Sequence, residues 1–222
     1  MSEDITERAQ LSQAHDRGCL RSARAVRLYL RADLHRYHGG GRTKFWRHFL
    51  FTPGFKYTVW MRWSGYARVT KPLKYSVYPI LKLILSRCRY KYGIAIPEYT
   101  DIGPGLFINR FGGIYMNGDA IVGANANIAQ MTMLAQANRG SRAGSPILGD
   151  RVYVAAGSSV IGRIHVGEDV VIGINSVVTK DTPANSVVAG TPAKVISQAG
   201  AEGYVNRVVP DALLAACYAA RG

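Results

Sequence analysis

The sequence has few cysteines and no long hydrophobic run, and both absences narrow the class of protein. Three cysteines in 222 residues, Cys19, Cys88 and Cys217, are too few and too scattered for a disulfide framework or a zinc cluster, so we expect reduced thiols. The most apolar stretch, residues 75–86, falls short of the roughly 18 residues that a spanning helix needs, and it contains a proline and a lysine. A transmembrane anchor is therefore not expected.

The first 17 residues also lack the features of a targeting segment. They open with acidic residues and contain neither the apolar core of a secretory signal nor the Arg-rich pattern of a transit peptide. We therefore expect a cytoplasmic protein, with peripheral contact to the inner membrane as an open alternative.

Acidic residues are scarce in the first part of the chain. Between residues 17 and 93 there are 18 Lys plus Arg and a single acid, Asp33, whereas from residue 101 onward 9 basic and 8 acidic residues nearly balance. The net charge of +14 thus belongs to the first region. A composition of 48% hydrophobic and 19% charged residues is enough to bury a core, which excludes extended disorder.

The basic region predicts several helices with aromatic residues interleaved among the charges. A helix is expected over residues 21–38, another over 42–51 and two more up to about residue 92, separated by the triple glycine at 39–41 and by Pro53 and Gly54.

Three functions could use such a surface. Nucleic-acid binding would pair the Lys and Arg side chains with phosphates. No known nucleic-acid-binding motif is present, so no nucleic-acid partner is expected. Attachment to an anionic membrane would use the same charges with Trp and Tyr at the headgroups. Packing of the aromatics on one another and on the second region, with the arginines in solvent, is favoured and is compatible with membrane contact.

The second region is organised by a period of six residues. This period fits neither a helix nor a single strand, but it suits a coil that has a short strand and a tight turn every six residues. Three such units form one turn of a triangular prism with the aliphatic side chains inside. The aliphatic positions form three runs in steps of six: Ile96, Ile102 and Ile108; Met116, Val122, Ile128 and Leu134; Leu148, Val154, Val160, Val166, Ile172 and Val178.

Several stretches resemble the hexapeptide-repeat acyltransferases, most closely the serine acetyltransferases and the related O-acetyltransferases of exopolysaccharide clusters, including the colanic-acid type. The resemblance implies a fold class that is mainly β: a left-handed parallel β-helix of hexapeptide repeats with an N-terminal α-helical region. The segments that carry the resemblance are residues 30–39 (LRADLHRYHG), 53–62 (PGFKYTVWMR), 90–97 (YKYGIAIP), 102–117 (IGPGLFINRFGGIYMN), 138–162 (NRGSRAGSPILGDRVYVAAGSSVIG) and 187–196 (VVAGTPAKVI).

We divide the chain into three parts on these grounds. Residues 1–93 form the basic, aromatic-rich helical region, and residues 94–197 form the β-helix acyltransferase domain. Residues 198–222 are expected to be a linker and a short helix that caps the open end of the prism.

The resemblance implies an O-acetyltransferase. The family forms homotrimers, binds acetyl-CoA in the groove between adjacent prisms and transfers acetyl to a hydroxyl group without a metal. We predict acetyl-CoA as the donor and, as the acceptor, a hydroxyl of a sugar or exopolysaccharide precursor such as a lipid-linked glycan, with serine the weaker candidate. The competing prediction is a CoA-binding or structural homologue that has lost catalysis.

The competing prediction rests on the residue at the position of the family's catalytic base. The family's histidine lies in a His-x-x-Gly-Ile motif and takes the proton of the acceptor hydroxyl. Arg110 stands at that position, and a guanidinium keeps its proton at neutral pH, so it cannot act as the base. Arg110 could instead hold an anionic acceptor or stabilise the developing oxyanion, with Asn117 and Asp119 as further catalytic candidates nearby. None of the chain's five histidines is placed by the motif.

Three further family positions differ in this sequence. The carboxylate that orients the histidine corresponds to Ala95, and a second family histidine corresponds to Ser145, although the polysaccharide relatives also lack it. A Gly-Val-Thr-Ile-Gly segment of the relatives corresponds to residues 131–135, MTMLA, which narrows the space that the glycines leave.

The predicted acetyl-CoA site matches the family more closely than the predicted catalytic site does. A small residue is expected where the family's backbone approaches the pantetheine arm, and lysine suits the nucleotide phosphates, although each lysine alone is as readily a solvated charge. The polar stretch 136–146 interrupts the repeat and is expected to reach a neighbouring subunit. The cofactor-binding candidates are Ala155, Ala156, Gly173, Lys180, Thr191 and Lys194, and the substrate-binding candidates are Asn109, Arg139 and Arg142.

Overall fold

The computed structural model describes residues 16–38 and 45–221. The predictions made for residues 1–15 and for the triple glycine at 39–41 lie outside these described residues. No helix among the described residues is long and apolar enough to cross a membrane.

Five helices precede the strands and one follows them in the described part of the chain. Three of the five have proline in their first turn, where the missing N–H is no loss, and α5 ends at Gly93 in the left-handed conformation (φ 61°). The predicted helices are confirmed, except that the stretch after Pro53 forms three helices rather than two. The bounds are α1 Ala23–His38, α2 Phe45–Phe51, α3 Pro53–Val69, α4 Lys71–Ser76, α5 Tyr78–Tyr92 and α6 Asp211–Arg221.

Fifteen short strands follow, most of them two residues long. Their bounds are β1 Ile94–Ala95, β2 Asp101–Ile102, β3 Phe107–Ile108, β4 Ile114–Met116, β5 Ile121–Val122, β6 Asn127–Ile128, β7 Met133–Ala135, β8 Ile147–Leu148, β9 Tyr153–Val154, β10 Ser159–Ile161, β11 His165–Val166, β12 Val171–Ile172, β13 Val177–Val178, β14 Val187–Gly190 and β15 Ala193–Ser197.

The strands build three sheets that form the sides of a prism. Sheet A contains β1, β4, β7, β10 and β13; sheet B contains β2, β5, β8 and β11; sheet C contains β3, β6, β9, β12, β14 and β15. All pairs are parallel except β14 with β15, which is antiparallel. The chain therefore visits the three sheets in turn and forms a parallel β-helix.

Two of the coils are longer than the repeat requires. Leu148 pairs with Val166, so a regular coil has 166 − 148 = 18 residues. The first coil has 114 − 94 = 20, from Ile94 to Ile114, and the second has 148 − 122 = 26, from Val122 to Leu148. The extra residues lie between β3 and β4 in the first coil and between β7 and β8 in the second. Both insertions border sheet A.

The predicted interior positions are confirmed. All thirteen aliphatic residues of the three runs are at most 3% exposed, and all belong to one continuous hydrophobic cluster inside the prism. The period of six therefore does place these side chains in a common core.

Buried ion pairs attach the helices to the first coil. Arg62 on α3 donates two hydrogen bonds to Asp33 on α1, and it also donates to the carbonyls of Ile102 and Gly103. Asp33 accepts further bonds from the backbone N–H groups of Gly105 and Leu106. The expectation that the arginines lie in solvent is therefore wrong for Arg62, because the region's single acid faces inward and pairs with it.

The aromatic side chains of the helical region divide into two sets. Phe55 and Tyr57 are completely buried, and the Tyr57 hydroxyl donates to the carbonyl of Ile96 on the first coil. Trp46, Phe51 and Tyr75 are instead strongly exposed. Packing therefore accounts for part of the aromatic content and leaves an exposed set.

The C-terminal segment forms the predicted short helix but does not cap the open end of the prism. After β15 the chain returns along the outside of sheet C, where Val205 packs near Val171, and α6 ends beside the first coil with Arg221 paired to Asp101. At this end of the prism β15 pairs along β14 and extends sheet C by one strand. The division of the chain into domains at residues 93 and 197 stays a prediction.

Candidate functional site

One edge of the prism, where sheet C turns into sheet A, carries a line of small residues. The residues that follow the sheet C strands stack on one another through backbone hydrogen bonds, such as Ala155 N–H to the carbonyl of Ile172 and Gly173 N–H to that of Val188. We call this line the C–A edge. Its members, from the first coil to the last, are Asn109, Ala129, Ala155, Gly173 and Ala189.

The C–A edge ends at a lysine. Ala189 pairs directly with Lys194 on the antiparallel strand β15, so the exposed Lys194 continues the line at its last strand. Strands are spaced about 4.8 Å apart, and five spacings put Asn109 and Lys194 about 24 Å apart along the prism. A Cβ at Gly173 would meet the Cβ of Ala189 at 3.0 Å, so the edge is closely packed.

Most of the cofactor candidates lie together on this edge. The carbonyl of Ala156 accepts from Asn175 N–H, and the Thr191 hydroxyl lies 3.4 Å from the carbonyl of Asn175 in the same turn region. Lys180 is different, because it follows β13 at the opposite edge of sheet A, next to Thr179, whose carbonyl accepts from Arg142. The structure therefore gathers Ala155, Ala156, Gly173, Thr191 and Lys194 and separates Lys180 from them.

Arg110 lies on the two-residue insertion at the first-coil end of this edge. Its side chain is exposed and, among the described residues, has no hydrogen bond or ion pair. Met131 from the next coil lies against this loop, since its N–H donates to the carbonyl of Gly112 and its sulfur would be 2.3 Å from a Cβ at Gly113. Met131 thus lies against Gly112 and Gly113 of the loop that carries Arg110, and the narrowing of the site by residues 131–135 stays a prediction.

A cavity of about 280 Å³ opens between α5 and the first coil on sheet A. Two catalytic candidates, Asn117 and Asp119, line it, whereas Arg110 does not. The lining residues are Arg89, Ala95, Pro97, Tyr99, Tyr115, Met116, Asn117, Gly118 and Asp119.

Asn117 connects this cavity to the long insertion. Its Oδ1 accepts from Asp119 N–H at 2.8 Å and from the Ser145 hydroxyl at 3.0 Å, and its Nδ2 donates to Gln136 Oε1 at 3.1 Å. These three bonds fix the amide. The carboxylate of Asp119 is exposed and has no hydrogen-bond partner in the described part of the chain.

The positive charge of Arg89 in the cavity wall is partly neutralised by the buried carboxylate of Glu98. Arg89 reaches the carboxylate of Glu98 at 3.6 Å, and Glu98 also accepts two bonds from Lys82 and one from Tyr78. Burial of this carboxylate favours its neutral form, but the bonds from Lys82 and Tyr78 outweigh it and lower the pKa of Glu98. Glu98 is therefore a charged support for the wall.

The long insertion folds into a small hairpin in which Ala137 and Gly144 exchange backbone hydrogen bonds. Arg139 lies exposed near its tip. Arg142 is held more closely, because its guanidinium donates to the carbonyl of Thr179 at 2.7 Å. Of the substrate-binding candidates, Asn109 lies on the C–A edge and the two arginines lie on the other side of sheet A.

Sequence reasoning missed several residues that line the cavity. Tyr115 could have been found, since it alternates with the inward Ile114 and Met116 and so points outward. Arg89 and Tyr99 gave no such signal, because only the packing of α5 on the first coil brings them there. No described histidine lines the cavity: His35, His38 and His48 lie on α1 and α2, and His165 is exposed on β11.

The residues that the structure describes contain no group of three or more His, Cys, Asp or Glu side chains that could hold a metal ion.

The three sheets, the coils of 18 residues and the aliphatic core define a β-helix of the hexapeptide-repeat class. The serine acetyltransferase of Helicobacter pylori is 36% identical over 121 residues, which are 54% of this chain and 71% of that protein. That of Synechococcus elongatus is 36% identical over 123 residues, which are 55% of this chain and 50% of that protein. The chain matches no family model.

A solved structure of similar form is the serine acetyltransferase of Brucella abortus in complex with coenzyme A, with a TM-score of 0.64, 26% identity and coverage of 79% of this chain and 68% of that one. This likeness confirms the left-handed parallel β-helix with an N-terminal helical region. The chain belongs to the serine acetyltransferase family of hexapeptide-repeat proteins. It spans half to two thirds of the length of the first relatives it matches.

Proposed function

We propose that the protein is an acetyl-CoA-dependent O-acetyltransferase that acts on a hydroxyl of a sugar or exopolysaccharide precursor. The C–A edge carries this proposal. An extended thioester arm needs a long surface without large side chains, and small residues line the edge over about 24 Å between Asn109 and Lys194. Gly173 and Ala189 are partly exposed at the Lys194 end, whereas Ala129 and Ala155 are buried in the single chain. The ammonium of Lys194 suits phosphates at the far end. The relatives are named serine acetyltransferases, and one neighbour holds coenzyme A.

The acceptor would enter the cavity on sheet A. Asn117 and Asp119 supply hydrogen-bonding groups for hydroxyls, and the rings of Tyr99 and Tyr115 supply apolar faces. This combination suits a polyhydroxylated acceptor such as a sugar. Serine is the second candidate, since it is the acceptor in the names of the relatives and the cavity wall carries both a cation, Arg89, and an anion, Asp119.

The reaction needs a base other than Arg110. The acceptor oxygen attacks the thioester carbonyl carbon, the C–S bond breaks, and the hydroxyl proton must pass to the departing sulfur. We assign the proton transfer to the carboxylate of Asp119, which no described residue engages, and the positioning of its loop to Asn117. Asp119 follows β4 at the edge of sheet A opposite the C–A edge, so the thioester that it serves would lie on the C–A edge of a neighbouring subunit. Arg110 would stabilise the negative charge that develops on the carbonyl oxygen.

The active unit would be a homotrimer. Sheet A and the C–A edge expose apolar side chains that a neighbouring prism would cover, and the donor groove would lie between the two. The hairpin with Arg139 and Arg142 would then reach the neighbouring subunit's groove. The exposed apolar residues on this side are Phe111, Tyr115, Met131, Met133 and Ile174.

A second candidate is a CoA-binding homologue without catalysis. The observations that favour it are the exposed guanidinium of Arg110 at the family's histidine position, Ala95 at its carboxylate position and Met131 beside the Arg110 loop. Such a protein would keep the C–A edge and bind acetyl-CoA without turning it over.

Release of free CoA thiol from acetyl-CoA tests the proposal, with hexoses, extracted glycolipid and L-serine as acceptors. We expect acceptor-dependent release by the full chain, a fall in kcat of about 10²–10⁴-fold for Asp119→Asn, and no change for the exposed control Glu202→Gln. Lys194→Glu should raise the KM for acetyl-CoA about tenfold while Arg163→Glu, an exposed control, leaves it unchanged.

The outcomes separate the candidates. Release with serine alone would overturn the sugar acceptor and keep the transferase. Binding of acetyl-CoA without release, with activity gained by Arg110→His combined with Met131→Gly, would establish the non-catalytic homologue.

A further inference from the structure

The outer face of α4 and α5 exposes apolar side chains. On α5 the residues at i, i+3, i+7 and i+10 lie on one side of the helix, while the opposite side packs on α3. Ile80 and Leu83 are each 60% exposed, Tyr90 is 91% exposed, and Tyr75 on α4 is 81% exposed. The four residues of this stripe on α5 are Ile80, Leu83, Arg87 and Tyr90.

The same face is strongly basic. The sequence has no acid between Asp33 and Glu98, and residues 71–92 contain six Lys plus Arg. Glu98 pairs with Lys82 and Arg89 on the inner side of α5. The Lys and Arg side chains on the outer side have no acidic residue within residues 71–92 to pair with. The exposed bases are Lys71, Lys74, Arg87 and Lys91.

The exposed apolar side chains and the exposed bases of these two helices form one surface. We call α4 and the outer side of α5 together the basic apolar face.

Charge decides between the partners that could cover this face. A second copy packed through the same face would bring two sets of exposed Lys and Arg together without an acid to separate them. A membrane with anionic lipids offers the opposite charge together with an apolar layer for the exposed side chains. Tyrosine rings and the long stems of Lys and Arg suit the headgroup level.

We propose that the basic apolar face rests on the surface of a membrane that contains anionic lipids. The face lies on the helix that also supplies Arg89 to the cavity, so the acceptor cavity would lie next to the lipid surface. This inference goes beyond the proposed acetyl transfer, and either can fail without the other.

Flotation of the full chain with vesicles tests it. We expect binding to vesicles of phosphatidylcholine with about one third phosphatidylglycerol, no binding to phosphatidylcholine alone, and a loss of at least tenfold between 50 and 500 mM NaCl. Absence of binding to both vesicles would overturn the proposal.

Matched charge reversals locate the contact. Lys71→Glu, Lys74→Glu and Arg87→Glu together should lower the partition coefficient at least about 100-fold. The control reverses three exposed arginines of α1, Arg24, Arg27 and Arg31, and this helix exposes no large apolar side chain. Apart from the loss that any equal drop in net charge causes, the control should lower the partition coefficient less than about threefold. Equal losses in the two triple variants would mean diffuse attraction and would overturn the assignment to this face.

An apolar pair tests the insertion of side chains. Ile80→Ser with Leu83→Ser should lower the partition coefficient about tenfold, whereas Ile196→Ser with Val208→Ser, exposed on β15 and beyond it, should leave it unchanged. If the first pair instead splits a larger oligomer of the parent chain, as seen by light scattering, and leaves vesicle binding unaltered, a second copy covers the face and the proposal is wrong.

Discussion

The prism and the helical layer on its first coil are held together in different ways. Inside the prism, thirteen aliphatic side chains from successive coils form one cluster, and each contacts its neighbours one coil away. The helices instead reach the first coil through buried polar pairs, such as Asp33 with Arg62 and Glu98 with Lys82. The prism thus depends on a repeated pattern, and the junction depends on a few individual residues.

A single substitution should therefore have a different cost in the two regions. Loss of one methyl-bearing side chain in the prism leaves a cavity within an otherwise intact stack. Loss of one partner at the junction leaves a buried charge and several backbone groups without a partner. We therefore expect the junction to be the more sensitive of the two regions.

The largest effect is expected for Asp33→Ala. It leaves the buried guanidinium of Arg62 unpaired and removes the acceptor for the N–H groups of Gly105 and Leu106, so the free energy of unfolding should fall by about 3–5 kcal/mol in denaturant titrations. The exposed acid Glu202 provides the control, and Glu202→Ala should change little.

The double variant Asp33→Leu with Arg62→Leu sharpens this test. It removes both charges, so it should recover part of the loss. A single-variant loss below about 1 kcal/mol would mean that the buried pair does not hold the junction.

Ile172→Ala tests the prism. Ile172 is fully buried between coils, and its truncation should lower the free energy of unfolding by about 2–5 kcal/mol. The same substitution at Ile196, which is 66% exposed on β15, should stay within about 0.5 kcal/mol. Equal losses at the two positions would contradict the core.

Glu98→Gln tests the charge at the junction through pH. The pKa of Glu98 is lowered in the folded protein, so the carboxylate stabilises it above the unfolded pKa of about 4.3, and this contribution is lost as the pH falls through the folded pKa. The wild type should exceed the variant by about 1.5–3 kcal/mol at pH 7, with a smaller difference near pH 3.5. A difference that grows toward low pH would contradict the assignment.

The smallest effect is expected for Glu168→Ala in the prism. Glu168 forms a half-exposed pair with Arg151 at 3.2 Å between neighbouring coils. Its removal should cost about 0.2–1 kcal/mol, and the cost should shrink in 0.5 M salt. A salt-independent loss of several kcal/mol would mean that surface ion pairs, rather than the aliphatic core, contribute most of the stability of the prism.

The same contrast explains how much of the fold could be predicted. The period of six is local, so the sequence alone identifies the interior of the prism from Ile96 to Val178. The buried pairs join residues that are far apart, 29 positions for Asp33 and Arg62 and 120 for Asp101 and Arg221. Nothing in a local pattern selects these partners, and the expectation of solvated arginines and of a C-terminal cap failed for this reason.

The candidate site was predictable in part for similar reasons. Ala155, Gly173 and Lys194 reach one edge because coil length and strand pairing place them there, although their role in binding stays a prediction. The cavity wall contributed by Arg89 depends on how α5 packs on the first coil, and no local pattern of residues indicates that packing. The hydrogen bonds that fix Asn117 come from the turn after β4 and from the long insertion between β7 and β8.

The contact between the two outer helices has a consequence for the order of folding. The hydroxyl of Ser22 lies 3.4 Å from the carbonyl of Ala220, so α1 and α6 meet across 198 positions of sequence. A contact of this separation carries a large loop-closure entropy, and it cannot form until the intervening coils have stacked. The return of α6 should therefore be a late event, one that slows unfolding of the finished protein more than it speeds its formation.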